Sequence, residues 1–224
     1  MRGGTGRAPG PGSVTPVSTP DHYFSREPAS AAESRALHVR LRGREVTVQV
    51  AAGVFSGERL DLGTRVLLDA VDDPPQTGTL VDVGCGWGPL TLAMALASPE
   101  ATVLGVDVNP RARDLTARNA AALGLRNVTA LSPDDALKDL TGTGDGVGVV
   151  DEIWSNPPIR IGKGPLHELL RTWLEVLSPT GRAHLVVQRN LGADSLHRWL
   201  EGEGHDVVRT ASAKGYRVLT VTHP

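Results

Sequence analysis

Val81-Asp82-Val83-Gly84-Cys85-Gly86-Trp87-Gly88 decides the fold. An apolar strand that breaks into three alternating glycines brings bare backbone against a ligand, and the helix expected next turns its N–H groups toward it. Dinucleotide-binding turns space their glycines as Gly-x-Gly-x-x-Gly so that a pyrophosphate can approach the helix N-terminus. Here the spacing is Gly84-x-Gly86-x-Gly88, and Pro89 stands where the last of those glycines would fall. Proline is tolerated in a first helical turn because its missing N–H would have no partner there. The helix is therefore expected to start near Pro89, behind a turn that faces a ligand without a pyrophosphate.

S-adenosylmethionine is such a ligand, with Asp82, Val83, Gly84, Cys85, Gly86, Trp87 and Gly88 as its expected contacts. A second strand, Ala101 to Val106, ends in Asp107. An acidic residue about twenty positions past the glycine turn is placed to accept from ribose hydroxyls, with Val108 beside it. Asn109-Pro110 reads as an N-cap and first-turn proline, opening a helix through Ala122 that Gly124 stops. A third strand, Asn127 to Leu131, runs into Ser132-Pro133-Asp134-Asp135-Ala136, where a carboxylate can accept from an adenine amine. Asp135 is the choice there, with Asp134 the alternative.

A fourth strand, Val149 to Trp154, ends in Ser155-Asn156-Pro157-Pro158-Ile159. Two prolines stiffen the loop and restrict the residues before them, so its carbonyls are expected to point outward. A carbonyl beside the Asn156 side-chain oxygen makes two acceptors for the two hydrogens of an amino group. Such a site would favour attack of the nitrogen lone pair on a sulfonium methyl by positioning, with no metal or covalent nucleophile.

The glycine turn, Asp107 and the Asn-Pro-Pro loop resemble class I S-adenosylmethionine-dependent methyltransferases, in the branch that modifies amino or amide nitrogens. Gly53-Val54-Phe55-Ser56 with Leu60-Asp61-Leu62-Gly63-Thr64 is similar to the segment before the glycine turn in small-domain ribosomal RNA guanine methyltransferases. Asn156-Pro157-Pro158-Ile159-Arg160-Ile161-Gly162-Lys163 resembles their single-domain form, and the likeness runs over residues 21 to 222. It implies methyl transfer to guanine N2 in small-subunit ribosomal RNA, in the cytoplasm. Gly84, Gly86 and Gly88 would line the cofactor, Asp107 its ribose and Asp135 its adenine. Phe55 and Thr64 would lie near the methionine moiety, and Asn156, with Pro157, Pro158 and Ile159, would hold the target amine. Longer relatives carry a further degenerate methyltransferase domain for which these 224 residues leave no room. Ile159 stands where the loop family often has an aromatic residue, so stacking on a flipped base must come from elsewhere.

The fold class expected is α/β: a doubly wound sheet with a C-terminal antiparallel strand pair and an N-terminal hairpin. The first 20 residues, rich in Gly, Pro, Ser and Thr and charged only at Arg2 and Arg7, read as a disordered leader. Residues 21–75 read as an extension of hairpin and helix, and 76–224 as the catalytic core. Gly164 to Leu177 is expected to be helical, Ala183 to Val187 a buried strand, and Asp194 the cap of a helix through Glu201. Asp206 to Thr210 and Tyr216 to Val221 read as the final pair. Cys85 is the one cysteine, which excludes an internal disulfide, and reads as a small residue packed in the turn. His22, His38, His167, His184, His197, His205 and His223 lack ligand spacing. No stretch is apolar for long enough to cross a membrane.

Charge limits the choice of partner. A net charge of -2 excludes the global basic field of a nonspecific nucleic-acid binder. Local basic clusters remain: Arg40, Arg42 and Arg44 on a hairpin of Leu37 to Leu41 with Glu45 to Val50, Arg160 and Lys163 beside the Asn-Pro-Pro loop, and Arg189, Lys214 and Arg217 on nearby loops. These are the expected RNA contacts. A protein glutamine amide or an adenine amine would present a similar planar nitrogen, and a noncatalytic assembly factor would keep the motifs without turnover.

Overall fold

The computed structural model describes Met1 and residues 34–54, 59–142 and 148–224. Phe55 and the leader assigned to 1–20 lie outside the described residues apart from Met1. Strands β1 (Ser34–Leu41) and β2 (Arg44–Ala51) pair as an antiparallel hairpin closed by Arg42-Gly43. Both turn residues have positive φ, 46° and 82°, which suits the twist of a two-residue hairpin turn. The chain continues through α1 (Leu62–Ala70), β3 (Thr79–Val83), α2 (Pro89–Ala97), β4 (Thr102–Val106), α3 (Pro110–Ala122) and β5 (Val128–Leu131). It then forms α4 (Pro133–Thr141), β6 (Val150–Ser155), α5 (Lys163–Glu175), β7 (Leu177–Gln188), α6 (Ala193–Gly202), β8 (Asp206–Ala213) and β9 (Tyr216–Thr222). Short 3-10 turns, Ile159–Ile161 and Arg189–Leu191, follow β6 and β7.

Strands β3 to β9 build one sheet in the order β5-β4-β3-β6-β7-β9-β8. The five strands from β5 to β7 are parallel, and β9 runs antiparallel to both β7 and β8. This is the doubly wound sheet with a C-terminal antiparallel pair. Alternation along each strand divides the core in two. Leu80, Val103, Trp154, Val186 and Val218 face α1, α2, α3 and the hairpin. Val81, Val83, Leu104, Val106, Ile153, Leu185 and Val187 face α4, α5 and α6.

Three helices start on a proline whose absent N–H costs nothing there: Pro89, Pro110 and Pro133. Asn109 caps α3 by accepting from the Arg111 N–H, and Ser132 caps α4 by accepting from the Asp135 N–H. Helix α4 stands where the sequence predicts a loop after the third strand. Its signal was present: Ser132-Pro133 at the cap, Asp134 and Asp135 in the first turn, and Ala136 and Leu140 on the buried side. Strand β7 begins at Leu177, which the periodicity assigned to the preceding helix. Asp194 does not cap α6. Gly192 holds the cap position with φ 108°, and Asp194 sits in the first turn, where it pairs with Arg209 and Arg217.

The hairpin is stitched to the molecule at both ends. Asn119 on α3, 1% exposed, accepts from the Gln49 N–H and donates to the carbonyls of Gln49 and Trp87. At the tip, Arg42 is not free to grip phosphate. Its guanidinium donates to Asp73 at 2.8 Å and to the carbonyls of Leu68 and Val71 at 3.1 and 3.0 Å, closing the C-terminal end of α1. Arg40 pairs with Glu45 across the two strands. The basic ribbon expected from Arg40, Arg42 and Arg44 is therefore not one continuous face, because the pleat and the turn aim these side chains differently.

Candidate active site

The strand order reverses at β3, which has β4 on one side and β6 on the other. In open α/β sheets the crevice at the carboxyl ends of such strands holds the ligand. Register decides what meets there. Val83 pairs with Val106 on β4 and with Ser155 on β6, so the residues that follow, Gly84, Asp107 and Asn156, leave the sheet side by side. Gly84 and Cys85 both donate their N–H to the Val106 carbonyl, at 2.8 and 2.9 Å. Ser155 donates its hydroxyl to the Val83 carbonyl at 2.7 Å and ties the two strand ends together.

Gly84, Gly86 and Gly88 all have positive φ, of 87°, 58° and 99°, a conformation open to glycine at little cost. A Cβ on Gly84 would meet nothing within 4 Å, so the turn presents open space above its backbone. Asp107 holds the turn from the side: its Oδ2 accepts from the Gly86 N–H at 3.0 Å and its Oδ1 from the Asn109 N–H at 2.8 Å. Burial pushes the Asp107 carboxyl above its usual range, opposed by those two N–H groups and by the charge of Arg113. Asp82 is 1% exposed and accepts from the Thr91 N–H and hydroxyl through Oδ2 alone. Its Oδ1 is buried without a partner among the described residues, and burial raises its pKa to about 7.

A cavity opens over this turn, lined by Asp82, Gly84, Cys85, Gly86, Trp87, Pro89 and Leu90 on one side and by Asp61, Thr64 and Asn156 on the other. Asn156 donates its side-chain N–H groups to Asp61 Oδ2 at 2.8 Å and to the Thr64 hydroxyl at 3.2 Å. After it, the carbonyls of Pro157 and Pro158 already accept from the N–H groups of Ile159 and Ile161. They curl into the 3-10 turn, which corrects the expectation that both simply point outward. Each keeps a second lone pair.

The match to known proteins agrees with this architecture. A family model described as the methyltransferase small domain covers residues 45–220. The chain belongs to the small methyltransferase domain family. It is 33% identical to the uncharacterized protein YbxB of Bacillus subtilis strain 168 over 89% of this chain and 96% of that one. It is 34% identical to ribosomal RNA small subunit methyltransferase C of Shewanella sediminis strain HAW-EB3, over 66% of this chain but 41% of that longer protein. Among solved structures, the T. thermophilus 16S rRNA N2 methyltransferase RsmC in complex with AdoMet and guanosine is similar with a TM-score of 0.73 and 25% identity. That match covers 88% of this chain and 52% of the other.

This small-domain methyltransferase uses S-adenosylmethionine, and its doubly wound sheet is that of the class I enzymes. Several expected site residues sit differently from the linear reading. The Trp87 side chain is 1% exposed and belongs to the core on the side of α1, α2, α3 and the hairpin, while the residue also borders the cavity. Cys85 is buried and its sulfur accepts from the Thr116 hydroxyl at 3.4 Å, the packed small residue that was expected. Asp135 donates its N–H to the Ser132 hydroxyl, which donates in turn to the Asp135 carboxylate at the start of α4, and its side chain is exposed beside the end of β5. Val108 is 66% exposed next to Asp107. Arg217 is half-buried against Asp194 and is not a free cation, whereas Arg160, Lys163, Arg189 and Lys214 are exposed. Sequence reasoning passed over Asp61 as a functional group, although an Asp ahead of an apolar helix marks an N-cap. Among the described residues no cluster of three or more His, Cys, Asp or Glu could hold a metal ion. None of the described helices is long and apolar enough to cross a membrane.

Proposed function

We propose that this methyltransferase transfers a methyl group from S-adenosylmethionine to the exocyclic N2 of a guanine in small-subunit ribosomal RNA. One observation carries the reading: the Val83–Ser155 register sets the Asn156 side chain against the same cavity as the glycine turn. The named activities of the relatives supply the guanine and the RNA.

The cavity residues fit the cofactor. The unpartnered Asp82 Oδ1 needs a hydrogen-bond partner, and the space above Gly84 admits a ligand against bare backbone. Asp107 would accept from the ribose hydroxyls through lone pairs its two N–H donors leave over. Val108 would lie on the adenine, Asp135 near its amine, and Thr64 near the methionine moiety. The bound sulfonium supplies an activated methyl group.

On the substrate side, Asn156 Oδ1 and the Pro157 carbonyl would accept the two hydrogens of the guanine amine. Both acceptors gain as the nitrogen loses planarity and takes positive charge on attack, and the surplus proton leaves to solvent. Ile159 would give the base an apolar edge. A guanine amine within a helix lies in the minor groove, so the enzyme would take an unpaired base or extrude one.

Labelled cofactor, offered with naked 16S RNA, isolated small subunits and whole ribosomes from a strain lacking the protein, tests the reading. Label is expected in N2-methylguanosine after digestion to nucleosides. Asn156→Ala should lower single-turnover transfer by roughly two to three orders of magnitude, with a smaller change in cofactor affinity. Label in protein or in methyladenosine, or a parental rate in that variant, would refute it.

A further inference from the structure

We propose that Asp61 is a positioning residue: it fixes the Asn156 amide with its oxygen toward the substrate and so sets the site to receive a nitrogen that donates. The inference rests on Asn156 being the group that meets the target. An asparagine amide can turn over about its last torsion with little change of shape, because its oxygen and nitrogen are nearly isosteric. Only one of the two orientations serves an amine. Asp61 lies 95 residues earlier in the chain, and its Oδ2 stands 2.8 Å from Asn156 Nδ2. A carboxylate oxygen only accepts, so the flipped amide would set two acceptors against each other at hydrogen-bonding distance. Thr64 Oγ1, at 3.2 Å, takes the remaining amide hydrogen. Both N–H groups are thereby used, and among the described residues Oδ1 is left as the amide's free polar atom.

Asp61 is itself held. The same Oδ2 accepts from the Thr64 N–H at 3.0 Å and caps α1, so one oxygen both starts the helix and orients the amide. Gly63 keeps the junction close: a Cβ there would fall 2.8 Å from the Tyr216 ring. The consequence is a polarity rule for the substrate. An amino or amide nitrogen satisfies Asn156 Oδ1, whereas a carbonyl oxygen or an unprotonated ring nitrogen in that place would face it acceptor to acceptor.

Capping and orientation can be separated experimentally. Asp61→Ser keeps a good N-cap, since serine and aspartate cap about equally well, but its shorter side chain does not reach Asn156. Asp61→Asn keeps the cap and still offers an amide oxygen. Single-turnover methyl transfer to 16S RNA, cofactor Kd and melting temperature are measured for the parent, both variants and Asn156→Ala. Asp61→Ser is expected to transfer roughly tenfold to a hundredfold more slowly at saturating RNA and cofactor, with cofactor Kd and melting temperature close to the parent. Asp61→Asn is expected to recover most of the rate. A parental rate in Asp61→Ser, beside a crippled Asn156→Ala, would show that Asp61 is a cap alone and overturn the proposal. Equal loss in Asp61→Ser and Asp61→Asn would also overturn it, because charge rather than orientation would then matter. A fully active Asn156→Ala would instead remove the reading of Asn156 on which the inference stands.

Discussion

Asp82, on the strand that leads into the glycine turn, is a carboxyl whose ionisation burial opposes. Burial drives its carboxyl to about 7, the two Thr91 hydrogen bonds oppose that shift, and the charge of Asp107 adds to it. In the unfolded chain an aspartate releases its proton near 3.8. Between those values the folded protein holds a proton that the unfolded chain has lost. The stability linked to Asp82 is therefore fully present below about pH 4, falls as pH rises toward 7, and levels off above. Asp82→Asn removes the ionisation while an amide oxygen still accepts from Thr91. The stability of the parent relative to this variant should drop across that window in denaturant titrations at stepped pH. A constant difference from pH 4 to 8 would place the proton elsewhere. The glycine motif marked Asp82 as an expected cofactor contact, but no sequence pattern shows that one of its oxygens has no partner among the described residues.

At the scale of elements, the hairpin and α1 act as one unit. Helix α1 has nine residues, about 13 Å of rise. Its N-terminus meets Asn156 through Asp61, and its C-terminal carbonyls meet Arg42. The hairpin tip is thus a helix length away from the cavity. Arg42→Ala would leave the Leu68 and Val71 carbonyls without their charged donor, and stability should fall by roughly 1–3 kcal/mol. RNA affinity should not change beyond that loss. Chemical denaturation with parallel RNA binding checks both, and an RNA defect at unchanged stability would restore the phosphate-gripping role. The hairpin itself was legible, because an arginine-glycine turn between alternating runs has few other solutions. Its docking was not. Which carbonyls an arginine meets depends on where a helix 26 to 29 residues later comes to rest.

Across the whole molecule, the exposed cations among those expected to meet RNA fall into two groups, one on the rim of the seven-stranded sheet and one at the tip of the separate hairpin. Arg160 and Lys163 follow β6, Arg189 follows β7, and Lys214 lies in the β8–β9 turn, whose Gly215 carbonyl accepts from the Arg189 N–H at 2.8 Å. All four sit on the rim that carries Asn156. Arg40 and Arg44 flank the distant tip. If the rim holds the RNA backbone, Lys163→Glu with Arg189→Glu should weaken RNA binding and reduce the salt slope by about 0.7 to 0.9 for each lost phosphate contact. Arg40→Glu with Arg44→Glu should change affinity much less. Fluorescence titrations over a salt series separate the two pairs, and a tip defect as large as the rim defect would defeat this assignment. Cofactor affinity should hold in both.

The sequence by itself determined the doubly wound class, the glycine turn, Asp107 and the stiff Asn-Pro-Pro loop, because each depends on chemistry within a few residues. Glycine spacing sets a turn, proline sets φ, and strand alternation sets which side is buried. Tertiary structure alone decided the order β5-β4-β3-β6-β7-β9-β8 and the registers that bring Gly84, Asp107 and Asn156 together. It also turned Trp87 into the core, spent Arg42 and Arg217 on neighbouring segments, and set Asp61 against Asn156. These outcomes depend on hydrogen bonds and ion pairs between segments far apart in the chain. Local pattern carries no information about the partner until packing has brought it within reach.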